Sequence, residues 1–268
     1  MSHPLFDLSG RVGLVTGAAQ GMGRAMAIAF AEAGADVLIV DLNSAGVQAT
    51  AEHIQSLGRR AVPITADITD LAQIQQIFER LDQNFGRIDV LGNVAGPSHL
   101  AKPEDIELDK MEKVLHGLLV ARFAMCQQAG RRMLAVGKGS IINIGSLASL
   151  NALGRGNFAY SVGMGGVAMM TRELATEWTG RGVRVNAILP AQVINPGLTE
   201  RMAADPNLAN VFLRGIPAGR FGQPEDIKGV AVFLASDASS FISGALIPMD
   251  GGNLAMNAGG TAGPHPVS

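Results

Sequence analysis

The chain has 268 residues, of which 47% are hydrophobic and 16% charged, so it can bury a sizeable core and is too apolar for general disorder. Lys plus Arg number 21 and Asp plus Glu 23, a net charge of −2 that offers no basic surface to nucleic acid or an anionic membrane. The single cysteine, Cys126, excludes an internal disulfide framework and suits a reducing, cytoplasmic compartment.

In chain order, short apolar runs alternate with longer helical stretches. Residues 12–16 form the first run, followed by a glycine-rich turn and a helix through Ala33. Residues 37–41 predict a second strand, 45–57 a helix stopped by Gly58, and 61–66 a third strand. Asp70 reads as the N-cap of a helix over 71–85, with Gly86 as its C-terminal stop. Strands follow at 88–93, 140–144, 183–189 and 245–249, and helices at 108–134, 158–180 and 224–235. The strand runs are almost continuously apolar, the pattern of a parallel sheet covered on both faces. With the glycine cluster after the first strand, they predict one α/β domain over residues 1–256. That domain is expected to be doubly wound, a parallel seven-stranded sheet flanked by helices. Residues 257–268, rich in Gly and Pro, are expected to form a flexible tail. Between Lys138 and Arg172 the only charge is Arg155, but Gly145, Gly154, Gly156, Gly163, Gly165 and Gly166, with Ser and Asn, interrupt the ~20 apolar residues a membrane span needs. Residues 1–11 carry no long apolar run after a basic patch, so no membrane partner is expected.

The first turn reads Thr16-Gly17-Ala18-Ala19-Gln20-Gly21-Met22-Gly23. Its glycines permit a tight turn, a close backbone approach to a pyrophosphate, and a free helix N-terminus aimed at it. Asp41 ends the second strand 18 residues after Gly23. A carboxylate there accepts hydrogen bonds from ribose hydroxyls and repels a 2′-phosphate, which selects NAD over NADP. Asp67 follows the third strand and is placed to touch an adenine. Asn93, Ala95 and Gly96 end the fourth strand, where small residues leave a crevice for the cofactor.

These features combine with Asp67-Ile68, Asn93-Val94-Ala95-Gly96, Ser146 with Tyr160, and Arg184-Val185-Asn186-Ala187. Gly219-Arg220-Phe221-Gly222-Gln223-Pro224-Glu225-Asp226 and Asp250-Gly251-Gly252 complete the pattern. Over nearly its whole length the chain resembles the short-chain dehydrogenase/reductase family. The resemblance implies a Rossmann-type sheet, a nicotinamide cofactor, a small alcohol or carbonyl substrate, and a homotetramer. It implies cofactor contacts from Gly17, Gln20, Gly21, Met22, Gly23, Asp41, Asp67, Ile68, Asn93, Ala95, Gly96, Pro190 and Val193, with catalysis by Ser146 and Tyr160. The apolar and small residues of the helices at 108–134 and 158–180 exceed what one sheet face needs, which also points to a homo-oligomer.

The catalytic set departs from the family's Ser, Tyr, Lys and supporting Asn. In the family, the Lys one turn after the Tyr lowers its pKa and holds the nicotinamide ribose. Here Met164 stands four residues after Tyr160, and no lysine lies between Lys138 and Lys228. The Asn position falls on Leu118, Ala191 stands where the family usually has Gly, and Asn195 takes the place of a Thr near the carboxamide. A tyrosine of ordinary pKa, about 10, is a competent acid and a poor base at neutral pH, so oxidation is hurt more than reduction. His99, His116, Arg122 and Arg155 are the candidates for a compensating group. His99 and Arg155 are preferred because they lie in loops at the C-terminal edge of the sheet; the plainer reading of all four is a solvated or capping side chain. The five histidines show no metal-ligand spacing. Three functions remain open: an NAD(H)-dependent oxidoreductase with Ser146 and Tyr160, a catalytically silent NAD-binding relative, and a lyase or isomerase reusing the crevice. Selectivity is assigned to residues 97–102 and 192–214.

Overall fold

The computed structural model describes residues 3–256; the expected tail at 257–268 lies outside them. Seven parallel strands among these residues form one sheet. They are β1 (Val12–Thr16), β2 (Asp36–Asp41), β3 (Ala61–Thr65), β4 (Val90–Asn93), β5 (Gly139–Ile144), β6 (Val183–Pro190) and β7 (Leu246–Met249). Their order is β3-β2-β1-β4-β5-β6-β7. The order reverses between β1 and β4, and a doubly wound sheet opens a crevice at that point.

Side chains alternate along each strand, so each strand feeds two cores. Val15, Val37, Ile39, Val90 and Ile142 pack on one face with α1 (Gly21–Glu32), α2 (Ser44–Ser56) and α9 (Ile227–Ala235). Leu14, Leu38, Val40, Leu91 and Ile141 pack on the other face with α3 (Leu71–Phe85), α5 (Arg122–Val136) and α6 (Phe158–Trp178). This double burial is the reason the strands read as unbroken apolar runs. Asp70 caps α3 by accepting from the N–H groups of Ala72 and Gln73, and Gly86 closes it in the left-handed region at φ 67°.

The single helix expected at 108–134 is three pieces: α4 (Leu108–Leu115), a π-helical turn over His116–Ala121, and α5. Glycines set its approach to α6. A Cβ on Gly163 would lie 2.6 Å from Leu118, and one on Gly166 would lie 2.6 Å from Leu119. Periodicity does not reveal the π turn, because it inserts one residue per turn without changing residue type. Two helices over the segment reserved for selectivity, α7 (Pro196–Ala204) and α8 (Leu208–Leu213), also lack a strong apolar period. Asn195 caps α7 through Leu198 N, with Pro196 at its first position.

The buried carboxylate of Asp89 ties the base of the sheet. Its Oδ2 accepts from Val12 N at 2.8 Å and from Arg87 Nε at 2.9 Å. Replacing Asp89 by Ala leaves the Val12 N–H unpaired at the start of β1. We expect a loss of about 1–3 kcal/mol, read as a fall of several degrees in the calorimetric midpoint. An unchanged midpoint contradicts this account of Asp89.

Candidate active site

At the C-terminal end of β1 the chain turns back through the glycine-rich loop. Gly17 has φ 69°, and a Cβ on it would lie 3.1 Å from Ala95 N. A Cβ on Gly23 would lie 2.0 Å from Gly17 O, so no side chain fits there. Thr16 Oγ1 accepts from Val94 N at 3.0 Å and Ala95 N at 3.2 Å, joining the ends of β1 and β4 across the switch point. Gly21 has φ 55° with open space beside it, and Gln20, exposed, makes no side-chain cap on α1. The first N–H groups of α1 therefore border open space with no capping side chain, and an anion fits that position. Met22, half-buried, packs on the α1-side core.

Asp41 ends β2. Its carboxylate accepts from Ala19 N at 3.1 Å and Asn43 N at 3.0 Å, which fixes it beside the loop. Asp67 is half-buried, and its Oδ1 accepts from Thr69 N and Thr69 Oγ1, both at 2.8 Å. Ile68 is buried in the α3-side core. Ala95 and Gly96 follow β4, and Gly96 is exposed to the crevice. Pro190 ends β6 beside Met249 of β7, and Val193 is buried in a bridge with Gly222.

Asn93 requires a correction. Its side chain is buried at 1% exposure and does not face the crevice. Its Nδ2 donates to Asn143 Oδ1 at 3.2 Å and to Cys126 Sγ at 3.2 Å. Asn143 Nδ2 donates in turn to Thr171 Oγ1 at 3.0 Å. This network ties β4, β5, α5 and α6 beneath the site. Period-two alternation along β4 carries the signal: Leu91 and Asn93 share the α5 face. Burial raises the Cys126 thiol to about 12, so it is neutral at working pH.

Ser146 follows β5 and caps the short turn Leu147–Ser149, its Oγ accepting from Ala148 N at 3.2 Å. Tyr160 lies in the first turn of α6 and borders the cleft. Burial raises the phenol above its ordinary pKa, while the neighbouring Ser146 hydroxyl and the charge of Arg122 pull the other way. The structure therefore brings the two expected catalytic groups together. Met164, one turn further along α6, is buried with Leu118, Ala159 and Val167, with Tyr160 at the rim of that apolar cluster. Leu118 fills the space between Gly96 and Gly163, a Cβ on either glycine falling 2.6 Å from it.

Of the four candidate compensating groups, three stay near the surface. His116 Nε2 lies 2.8 Å from Thr69 O, His99 is half-buried, and Arg155 is exposed. Arg155 has φ 51° and stacks 4.7 Å over the Phe212 ring. Arg122, expected to be solvated or capping, is 1% exposed. Its guanidinium donates to Ala95 O at 3.0 Å and to Ile144 O. Sequence spacing on an irregular helix gave no sign that it turns inward.

Beside Tyr160 opens a cleft of about 430 Å³. Its lining includes Gly96, Ser98, Arg155, Asn157, Gln192, Val193, Asn195, Arg201 and Phe212. The Gln192 Oε1 is buried without a partner. Residues 97–102 and 192–214 both reach this cleft, as expected for the selectivity segments.

A family model described as Enoyl-(Acyl carrier protein) reductase matches residues 17–253. A D-threitol dehydrogenase of Mycolicibacterium smegmatis is 42% identical over 249 residues, 92% of this chain and 94% of that protein. An NAD-dependent glycerol dehydrogenase of Listeria innocua is 37% identical over 92% of this chain and 95% of its own length. Among solved structures, a gluconate 5-dehydrogenase from Burkholderia cenocepacia in complex with NADP and tartrate superposes with a TM-score of 0.88. It is 31% identical, over 95% of this chain and 99% of that one. The chain belongs to the short-chain dehydrogenase/reductase family, which binds nicotinamide cofactors, and its relatives named here are dehydrogenases, which favours an oxidoreductase.

The loop fits such a cofactor, because Gly17 and Gly23 let it close tightly on its own backbone and Gly21 leaves open space at the uncapped N-terminus of α1. Replacing Gly23 by Ala forces the loop off Gly17. We expect dinucleotide affinity, measured by calorimetry, to fall about tenfold or more, in line with an overpacking penalty of ~1–3 kcal/mol. Native affinity in that variant contradicts this fit.

Proposed function

We propose that this chain interconverts a secondary alcohol and its ketone on a small polyhydroxylated substrate, using NAD(H), as a cytoplasmic homotetramer. The pairing of Ser146 and Tyr160 at the mouth of the cleft carries this reading. Ser146 holds the substrate oxygen. The Tyr160 phenol gives a proton to that oxygen as a carbonyl is reduced, and takes it back as an alcohol is oxidised. When bound, the nicotinamide ring supplies or accepts the hydride at the substrate carbon. The glycine loop and the α1 N-terminus would hold the pyrophosphate, and Asp41 the adenosine ribose. Met164 offers no charge to Tyr160 and no donor to a ribose.

A polyhydroxylated substrate is supported by the polar lining of the cleft and by the orphaned Gln192 acceptor, which suits a hydroxyl donor. Arg155 and Arg201 add a place for a carboxylate. The relatives named for threitol, glycerol and gluconate agree with a substrate of this class. NAD is favoured by Asp41 and by the name of the glycerol relative, against an NADP-bound structural neighbour. Phe123, Val162 and Met169 leave apolar surface exposed on α5 and α6, which supports association of copies.

Nicotinamide absorbance over a panel of polyols and their keto forms tests the function. Tyr160→Phe is expected to lower turnover by ~10²–10⁴-fold in both directions; intact turnover overturns the role of Tyr160. Because the phenol is raised, it is protonated at neutral pH. Reduction is therefore full near neutrality and falls as pH rises through the phenol's pKa, whereas oxidation climbs through the same range. Oxidation that is flat with pH contradicts this.

A second check concerns the cofactor. Titration with both dinucleotides is expected to favour NAD, and Asp41→Ala to narrow the preference. Equal or tighter binding of NADP to the native chain overturns the preference.

A further inference from the structure

Arg122 is a cation buried deep beside the site with no carboxylate to neutralise it. At 1% exposure, it forms no ion pair within 4.0 Å among the described residues. Two of its nitrogens donate to the carbonyls of Ala95 and Ile144, and its Nε has no partner. Ile144 ends β5 and Ala95 lies two residues past the end of β4, and the residue after Ala95, Gly96, lines the cleft. A Cβ on Gly96 would lie 3.1 Å from the guanidinium and 2.6 Å from Leu118, so a glycine there lets both pack directly behind the backbone that lines the cleft. Burying an unpaired charge is unfavourable, and two neutral carbonyls only partly compensate. Such a group is kept where a negative charge forms beside it.

We propose that Arg122 is the positioning residue for Tyr160, supplying from α5 the positive charge that Met164 does not supply from α6. This rests on the oxidoreductase reading of the Ser146–Tyr160 pair. Three observations meet here. Leu118, one turn before Arg122, packs against Gly96 and Gly163, and Gly96, which the guanidinium also lies behind, lines the same cleft as Tyr160. The field of Arg122 favours the phenolate, and Tyr160 reciprocally favours the charged guanidinium. Arginine also suits the place better than lysine, because a delocalised guanidinium keeps its proton under burial that strips an ammonium. The other groups near the phenol have been identified. Ser146 offers a neutral hydroxyl, Cys126 beside the guanidinium stays a neutral thiol, and Arg155 and Arg201 line the solvent side of the cleft.

Tyr160 is the only tyrosine and Trp178 the only tryptophan. An ultraviolet difference titration of the full chain therefore reads Tyr160 alone, with Trp178 fluorescence reporting that the chain stays folded. No substrate, cofactor or turnover is needed, so failure here is separate from failure of the oxidoreductase reading. Arg122→Met is expected to raise the phenol midpoint by about one unit or more, the loss of a nearby opposite charge. Arg122→Lys is expected to retain part of the effect where its ammonium stays charged. Met164→Lys added to Arg122→Met is expected to bring the midpoint back down. If Arg122→Met does not fold, Arg122→Gln, which keeps a donor for a carbonyl, takes its place. In turnover, the rise of oxidation with pH is expected to move upward with the phenol, with KM for substrate little changed. An unchanged midpoint in the folded Arg122→Met or Arg122→Gln variant overturns the proposal. So does a midpoint that Met164→Lys fails to lower.

Discussion

The site depends on how tightly the ends of β1 and β4 are drawn together. Thr16 Oγ1 takes both N–H groups of Val94 and Ala95, and Gly17 lies against the same backbone with no room for a methyl group. That closure does two things at once. It leaves the N-terminus of α1 open above the loop, and it holds Ala95 O where the buried guanidinium of Arg122 can reach it. The binding cradle and the electrostatics of the catalytic end thus share one backbone junction. A change at the loop is felt at the phenol through atoms that never touch a substrate.

Beneath that junction the polar core is continuous. Asn93, Cys126, Asn143 and Thr171 pass hydrogen bonds from β4 to α6. In a dry interior such a chain is specific, because each group left unpaired is unfavourable. It fixes the height of α6 against the sheet, and α6 carries both Tyr160 and Met164. The glycines at 163 and 166 then let the π turn approach to van der Waals contact. The catalytic end is therefore positioned by packing around absent side chains as much as by the side chains present.

Met164 and Leu118 form an apolar cluster with Ala159 and Val167, with Tyr160 at its rim. Water has less access there, which raises the phenol and strengthens every charge interaction that remains. One cation at greater depth can act across such a medium where a solvated one would be screened. The cleft outside it keeps a polar lining, so the cleft is wet while the cluster behind it is dry.

The sequence by itself determined the class of fold and most of the cofactor end. Apolar runs mark strands buried on both faces, and glycines at 17, 21 and 23 mark a turn that needs positive φ at Gly17 and Gly21 and no side chain at Gly23. Asp70 and Gly86 mark helix ends, since caps act within a few residues. Ser146, Tyr160 and Met164 were drawn from fixed spacings along the chain, as expectations for the site. The tertiary structure decided what depends on direction. Asn93 turns inward because strand alternation sends it to the α5 face. Arg122 turns inward because a π turn rotates α5 relative to the regular helix that periodicity assumes. Helices α7 and α8 form over the cleft on a few caps and tertiary contacts, with little apolar period of their own to announce them. Whether a charged side chain meets solvent or a phenol is set by elements far apart in the chain, and no local pattern encodes that distance.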